Sequence, residues 1–326
     1  MEKIKADQNQ GVISERQEDQ EKEKKVFIES IKRAVAETFP FDSQKQEGLF
    51  LNKLKGLIDN SGNLSEEDLI FEVKLILASL ENPHTKLEKK DEEGYFLERL
   101  IFRKANKFWL ENENKIQEVV SLDGVAMADL VEEKIKEIGG GAREYRISLA
   151  LEDLLESKIA RMVAVGIKDG NQLFDLKTAF IEKRALARSR TSNDFVESRM
   201  LDQEIGYLRI RSWSRGLNFN GENVADLAED GLKTLKTARA LIVDVRENSG
   251  GDDSLAARLA GHFIKKSEFY VSVIRKLPKT KELIKQDLFF HPRGEFLGKK
   301  TAVLIGPKCI SSNEAFIMMM KKLKRL

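Results

Sequence analysis

Two short segments of this chain carry residue types that could perform nucleophilic chemistry beside backbone N–H donors. Residues 306–314 place two serines, Ser311 and Ser312, between an apolar stretch and a helical pattern. A serine at a helix N-terminus lies beside free N–H groups and the positive end of the helix dipole, which can stabilise an oxyanion. Ser311 and Glu314 also have the spacing of a capping box, so a purely structural role for Ser311 is the alternative.

The second segment is 244–251, Asp-Val-Arg-Glu-Asn-Ser-Gly-Gly, which follows the apolar run 240–243. Ligands of open α/β sheets bind at the carboxyl ends of strands, and paired glycines let a reacting group approach backbone N–H donors closely. A phosphate-binding loop is disfavoured because Asp252 and Asp253 come next and no Gly-Lys-Ser/Thr signature is present. A turn followed by an acidic helix cap remains an equal alternative for this segment alone.

A serine nucleophile needs a base whose pKa is about 7, and the chain contains three histidines. His84 follows Pro83, which ends a helical pattern, so His84 is expected on a loop. His262, beside a phenylalanine, and His291, beside a proline, are more typical of structural or solvated histidines. Cys309 is the other possible nucleophile, but its apolar neighbour favours a packed thiol.

Composition excludes several classes of function. The 326 residues suit about two domains, and a net charge of +2 gives no sign of a nucleic-acid partner. A single cysteine excludes an intrachain disulfide and a cysteine-based zinc site, so we expect neither a metal nor a cofactor. The charged residues 1–25 contain no apolar segment typical of a secretory signal, and no stretch predicts a membrane span, which leaves the localisation open.

The elements that must position these residues fall into four predicted regions. Residues 1–25 are predicted to be a charged tail or frayed helix, and 26–92 a helical module that carries His84. Residues 93–185 are predicted to form a small α+β domain, for which a PDZ-like fold is one interpretation. Residues 186–326 alternate strands and helices, and the apolar run 240–243 predicts a central strand of a parallel sheet.

In their order and spacing these motifs resemble the C-terminal processing and tricorn-core serine peptidases, a family that includes the interphotoreceptor retinoid-binding proteins. Residues 244–251 match the family's Asp-x-Arg-x-Asn-x-Gly-Gly pattern, and 310–316 match Ser-Ser-x-Glu-Ala-Phe. Residues 83–85 are similar to its Asp-Gly-His-Thr segment, and 121–125 to its middle-domain strand and turn. The resemblance implies an α/β fold with a crotonase-like or ClpP-like core, behind a helical module and an α+β domain.

The resemblance also implies roles for individual residues. Ser311 would be the nucleophile and His84 the general base, with an oxyanion hole from the N–H of Ser312 and one from Gly250 or Gly251. The implied reaction is hydrolysis of polypeptides through an acyl-enzyme, without a cofactor, a nucleic-acid partner or a membrane span, and an oligomer is possible. A proline before His84 departs from the family pattern, and so do Glu247 and Ser249, which replace its usual glycine and proline.

A further departure is that few residues follow Ser311, which leaves no room for the family's late glutamate or for its lysine base. We therefore expect a truncated peptidase that is weakly active and marginally folded in its last domain. A non-catalytic, peptide-binding or scaffold member of the family is the first alternative. A crotonase-type acyl-CoA enzyme is the second and less favoured alternative.

Overall fold

The computed structural model of the chain describes residues 2–87, 94–99, 101–112, 115–182, 195–214, 223–277, 280, 282–295 and 297–323. The chain divides into two units. The first consists of Met1–Lys90, Lys136–Gly140 and Ile274–Lys285, and the second of Asp91–Ile135, Gly141–Val273 and Gln286–Leu326. Most of the α+β domain predicted at 93–185 therefore shares a unit with the strands and helices that follow it, and the predicted boundaries at 92 and 185 lie outside the described residues.

The first unit is helical. It contains α1 (Glu2–Thr38), α2 (Gln44–Asn60) and α3 (Glu66–Ala78), with a 3-10 turn at Ser61–Asn63. The apolar faces of this helical module, predicted at 26–92, meet in one core made of Ile28, Val35, Phe39, Phe50, Leu54, Leu57, Leu69, Val73, Ile76, Leu77 and Leu80. Ser65 caps the start of α3, because its hydroxyl accepts a hydrogen bond from the Asp68 N–H and donates one to the Asp68 carboxylate.

Helix α1 extends through the segment that was expected to be a charged tail or frayed helix. Its glutamate, glutamine and lysine residues have high helix propensity, and pairs four residues apart add to it, as in the ion pair of Lys25 with Glu21. Lys24 also donates a hydrogen bond of 2.6 Å to the Leu64 carbonyl. Local propensity, together with such contacts, continues a helix that hydrophobic patterning predicts only from Val26.

The second unit begins with an antiparallel sheet in the order β2-β3-β4-β7-β8-β1-β6, with β5 paired to β4. Its elements are β1 (Tyr95–Leu97), β2 (Ile101–Lys104), β3 (Lys107–Asn112), β4 (Lys115–Leu122), β5 (Val125–Ala126), α4 (Met127–Ile135), α5 (Arg143–Leu154), β6 (Glu156–Ser157), β7 (Met162–Asp169) and β8 (Gln172–Glu182). The strand and turn expected at 121–125 are present, and β7 and β8 form a hairpin around Gly170. Strands β1–β3 and helix α5 were not predicted.

The rest of the second unit contains a four-stranded sheet in the order β14-β11-β10-β9. Its elements are β9 (Val196–Met200), β10 (Ile205–Ile210), α6 (Val224–Thr234), β11 (Ala240–Asp244), α7 (Asp253–Ala260), β14 (Lys300–Leu304) and α8 (Ser312–Lys321). Strand β11 pairs in parallel with β10 and β14, so the predicted central parallel strand is confirmed. The α/β fold class predicted from the sequence is also confirmed.

A separate two-stranded sheet consists of β12 (Glu268–Lys276) and β13 (Leu283–Phe290). The sequence pattern does not predict β13. Among the described helices, none is long and apolar enough to cross a membrane.

Candidate active site

Ser311 lies in the sharp turn between β14 and α8, where its backbone has φ 58° and ψ −131°. A non-glycine residue in this left-handed region is strained, at a cost of about 1–3 kcal/mol. The Ser311 N–H donates a hydrogen bond of 2.9 Å to a Glu314 carboxylate oxygen, which helps to hold the turn. A strained serine between a strand and a helix is the geometry of a nucleophile elbow.

The loop after β11 brings the two predicted glycines against this turn. Gly250 and Gly251 have φ values of 104° and 139°, and a Cβ on Gly250 would lie 2.8 Å from the Cβ of Ser311 and 3.2 Å from the Ser312 nitrogen. The Ser312 hydroxyl donates a hydrogen bond of 2.7 Å to the Gly251 carbonyl. The structure therefore brings four of the five predicted site residues together.

The N–H groups of this cluster differ in availability. The Gly250 N–H already donates to Asn248 Oδ1 at 2.9 Å. Within the described ranges, no residue accepts a hydrogen bond from the N–H of Gly251 or from that of Ser312, which begins α8. Unpaired N–H groups at the first turn of a helix are available to an oxyanion.

A buried acid anchors the start of the same loop. The Asp244 carboxylate accepts hydrogen bonds from the Tyr207 hydroxyl at 2.7 Å and from the Arg246 guanidinium at 2.7 and 3.0 Å. Burial by itself would raise the pKa of Asp244, but these hydrogen bonds and the charge of Arg246 outweigh it and lower the pKa from 3.8 to about 2. Asp244 is therefore an ionised anchor at neutral pH, held away from proton-transfer chemistry.

Cys309 is packed into the turn, as the sequence predicted. Its thiol donates to the Val245 carbonyl at 3.1 Å and accepts from the Gly306 N–H at 3.3 Å. Burial raises the pKa of the Cys309 thiol, which opposes the thiolate form that a cysteine nucleophile needs.

His84 lies in the first unit, in an exposed turn that follows α3. Its N–H donates to Asn82 Oδ1 at 2.8 Å. Gly140, with φ 66°, fits closely against this turn, because a Cβ there would lie 2.3 Å from the Glu81 carbonyl oxygen and 2.7 Å from Pro83 Cδ. The loop position predicted for His84 is confirmed, and Gly140 supports this turn.

The other two histidines have partners of their own. His262 Nε2 lies 3.3 Å from a Glu229 carboxylate oxygen that also binds Arg258. His291 Nδ1 lies 2.7 Å from the Ser267 hydroxyl. Neither contact involves the turn that carries Ser311.

Residues 204–326 match the sequence model of peptidase family S41. In sequence, this segment is therefore similar to peptidase family S41. The S41 segment contains Ser311, Ser312, Gly250 and Gly251, so the family resemblance of these motifs is confirmed. None of the curated proteins matches the chain.

Solved structures give the same answer for the fold. Mature CPAF is 12% identical with a TM-score of 0.70, covering 94% of this chain and 82% of that one, and a CPAF mutant is 11% identical with a TM-score of 0.73 over 94% and 82%. The photosystem II D1 C-terminal processing protease is 14% identical with a TM-score of 0.51, over 93% and 79%. The chain thus has the fold of serine peptidases, whose substrates are polypeptides, and the acyl-CoA enzyme alternative gains no support.

Proposed function

We propose that this chain hydrolyses peptide bonds with Ser311 as nucleophile and His84 as general base. Ser311 Oγ forms a bond to the substrate carbonyl carbon while its proton passes to His84. His84 then gives that proton to the leaving amine as the C–N bond breaks. Water, deprotonated by the same histidine, releases the acyl group and regenerates the serine.

The observation that carries this proposal is the strained backbone of Ser311 against the glycine loop. Strain of this kind is retained where the surrounding structure enforces it, and such residues cluster at active sites. A capping serine alone has no need of it, because an N-cap residue ordinarily has an extended backbone, as Ser65 does at φ −66° and ψ 166°. Ser311 therefore combines a capping position with a conformation that capping does not require.

For the oxyanion hole we propose the N–H of Ser312 together with that of Gly251. Gly250 is the alternative from the sequence, but its N–H is already bound to Asn248. Gly250 then has a different role: the lack of a side chain lets the loop approach Ser311. We further propose a polypeptide as the sole macromolecular substrate, with no nucleic-acid partner, because the net charge is only +2.

A fluorophosphonate probe tests the nucleophile. We expect labelling of Ser311 in the unaltered chain, complete loss in Ser311→Ala, and retention in Ser312→Ala, which keeps the backbone N–H. Ser267→Ala is the matched control, because the Ser267 hydroxyl contacts the His291 ring but lies outside the strained turn. Labelling that survives Ser311→Ala, or that disappears in Ser267→Ala, contradicts the assignment. A folded chain with no labelling at all would favour a non-catalytic scaffold.

A further inference from the structure

We propose that Asn313 is a positioning residue of the peptidase reaction, whose side-chain amide fixes the glycine loop against the Ser311 turn. The inference rests on the proposed role of Ser311. Asn313 occupies the variable position of the Ser-Ser-x-Glu pattern, so the motif itself assigns it no task. Its assignment comes from the contacts of its side chain.

Asn313 is completely buried, and both ends of its amide are used. Its Nδ2 donates to the Val245 carbonyl at 3.1 Å and to the Asn248 carbonyl at 3.0 Å. Its Oδ1 accepts a hydrogen bond of 3.3 Å from Trp213 Nε1. Two carbonyl acceptors on one end and an N–H donor on the other allow only one orientation of this amide.

These contacts join three segments at the glycine loop. The Asn248 carbonyl accepts a hydrogen bond from the Asn313 amide, and Asn248 Oδ1 accepts one from the Gly250 N–H. On the other side of the loop, the backbone N–H of Trp213 donates to the Gly250 carbonyl at 2.9 Å, and the backbone N–H of Asp252 donates to the Trp213 carbonyl at 2.8 Å. Trp213 is itself completely buried. The loop is thus held from both sides, and the Asn313 amide links those two sides.

Catalysis gives this arrangement a reason that stability alone does not. A buried amide has a substantial desolvation cost, which its three hydrogen bonds offset only while the loop and Trp213 keep their positions. Donors of an oxyanion hole must stand within a few tenths of an ångström of their working position before the reaction begins. Asn313 lies two residues after Ser311 and bonds the loop that carries the glycines, so it can set the spacing between the two.

The test measures the rate at which fluorophosphonate labels Ser311 and the rate at which the folded protein hydrolyses labelled casein. Asn313→Asp keeps the shape but turns two N–H donors into an oxygen that faces two carbonyls. Trp213→Phe keeps both N–H donors of Asn313 and removes the third hydrogen bond together with part of the buried indole ring. We expect Asn313→Asp to slow both rates by about 10-fold to 100-fold, with a change in the casein KM below about twofold, and Trp213→Phe to slow them less.

Leu232→Ala is the control for stability, because Leu232 is buried in α6 and is not part of the loop. It should lower the melting temperature without slowing the labelling of folded protein. Wild-type rates in Asn313→Asp, or a loss of labelling that only follows the unfolded fraction, overturn the inference. If Asn313→Asp does not fold, an unchanged rate in Trp213→Phe overturns it. Absence of Ser311 labelling in the unaltered chain overturns the proposed function as well, and so separates the two failures.

Discussion

The two proposed catalytic residues lie in turns that are held in opposite ways. Ser311 follows the edge strand β14, has a strained backbone, and lies in the loop region that Asn313 fixes from inside the core. His84 lies in an exposed turn, held by one side-chain contact to its own N–H and by the close fit of Gly140. The nucleophile is therefore built into a core, whereas the base is carried by a surface turn. Contacts inside the core can fix the turn that carries Ser311. The exposed turn that carries His84 depends instead on close contacts with the backbone around it.

Both regions nevertheless use the same local device. Gly140 and Gly250 have positive φ values of 66° and 104°. Each packs so closely against a segment that carries a proposed catalytic residue that a Cβ would not fit there. Around Gly250 the neighbours are side chains and backbone of a buried turn. Around Gly140 they are the backbone of Glu81 and the ring of Pro83. The comparison predicts that the two turns differ in stability but not in their need for glycine.

The largest effect should come from removing the reacting groups themselves. Ser311→Ala and His84→Ala should each reduce peptidase turnover by about 10³-fold to 10⁶-fold, and the double variant should be no worse than the poorer single variant, because the two groups act as a unit. Casein hydrolysis at equal folded concentration measures this. His84→Ala should leave the melting temperature nearly unchanged, because the ring is exposed. Independent, multiplying losses would show that His84 does not act on Ser311.

The parts of the fold that the sequence predicts are those in which hydrophobic pattern and pairing agree. The apolar run at 240–243 needs burial on both faces, and Val243 is completely buried between β10 and β14. Strand β13 escapes prediction because its outward residues are apolar as well as polar, with Phe289 50% and Leu283 54% exposed, so no alternation is visible. The full extent of α1 is not predicted, because helix propensity and ion pairs, rather than an apolar stripe, continue the helix.

At the site, the sequence places the serine and the glycines because each belongs to a motif with fixed spacing. Asn313 and Trp213 lack such a signal: their hydrogen bond joins residues 100 positions apart and depends on the tertiary fold. Which of Gly250 and Gly251 donates to the oxyanion likewise depends on the hydrogen-bond partner of the Gly250 N–H. Long-range polar contacts of this kind are specified by packing geometry, which residue spacing does not encode.

The second largest effect concerns the two glycines. Gly140→Ala and Gly250→Ala should each lower the free energy of unfolding by about 2–5 kcal/mol, because a positive φ and a close contact add together. Gly170→Ala is the matched control, since Gly170 has φ 60° but open space around its Cα, and it should cost about 1–2 kcal/mol. Urea unfolding measures these differences. Equal losses in all three variants would show that the close contacts carry no energy.

Hydrogen exchange locates each loss. In Gly140→Ala, protection should fall first at the Glu81 amide, which donates to the Ala78 carbonyl at 3.0 Å. In Gly250→Ala it should fall at the Trp213 amide, which donates to the Gly250 carbonyl. Loss of protection in the opposite turn would contradict the view that each glycine supports its own turn.

The smallest effect is an acid sensitivity that belongs to the second unit. Because the folded-state pKa of Asp244 is about 2 and its ordinary value is 3.8, its ionised form stabilises the fold at pH values above the ordinary pKa. That stabilisation, on the order of 2 kcal/mol, is lost as the pH falls from about 4 to about 2. In the first unit the pKa of Glu21 is also lowered, chiefly by its hydrogen bond to Lys25, but that pair is exposed and adds little.

Asp244→Asn isolates this contribution, because the amide keeps the shape and cannot ionise. The unfolding free energies of the unaltered chain and Asp244→Asn should differ by about 2 kcal/mol at pH 6, and the gap should narrow towards pH 2 as the carboxylate is protonated. Tryptophan fluorescence in urea follows the second unit directly, since Trp109 and Trp213 both belong to it. Titratable groups elsewhere affect both proteins equally. The difference between the two unfolding free energies therefore reports the contribution of Asp244. A gap that stays constant from pH 6 to pH 2 would mean that Arg246 and Tyr207 stabilise the neutral side chain as well as the charged one.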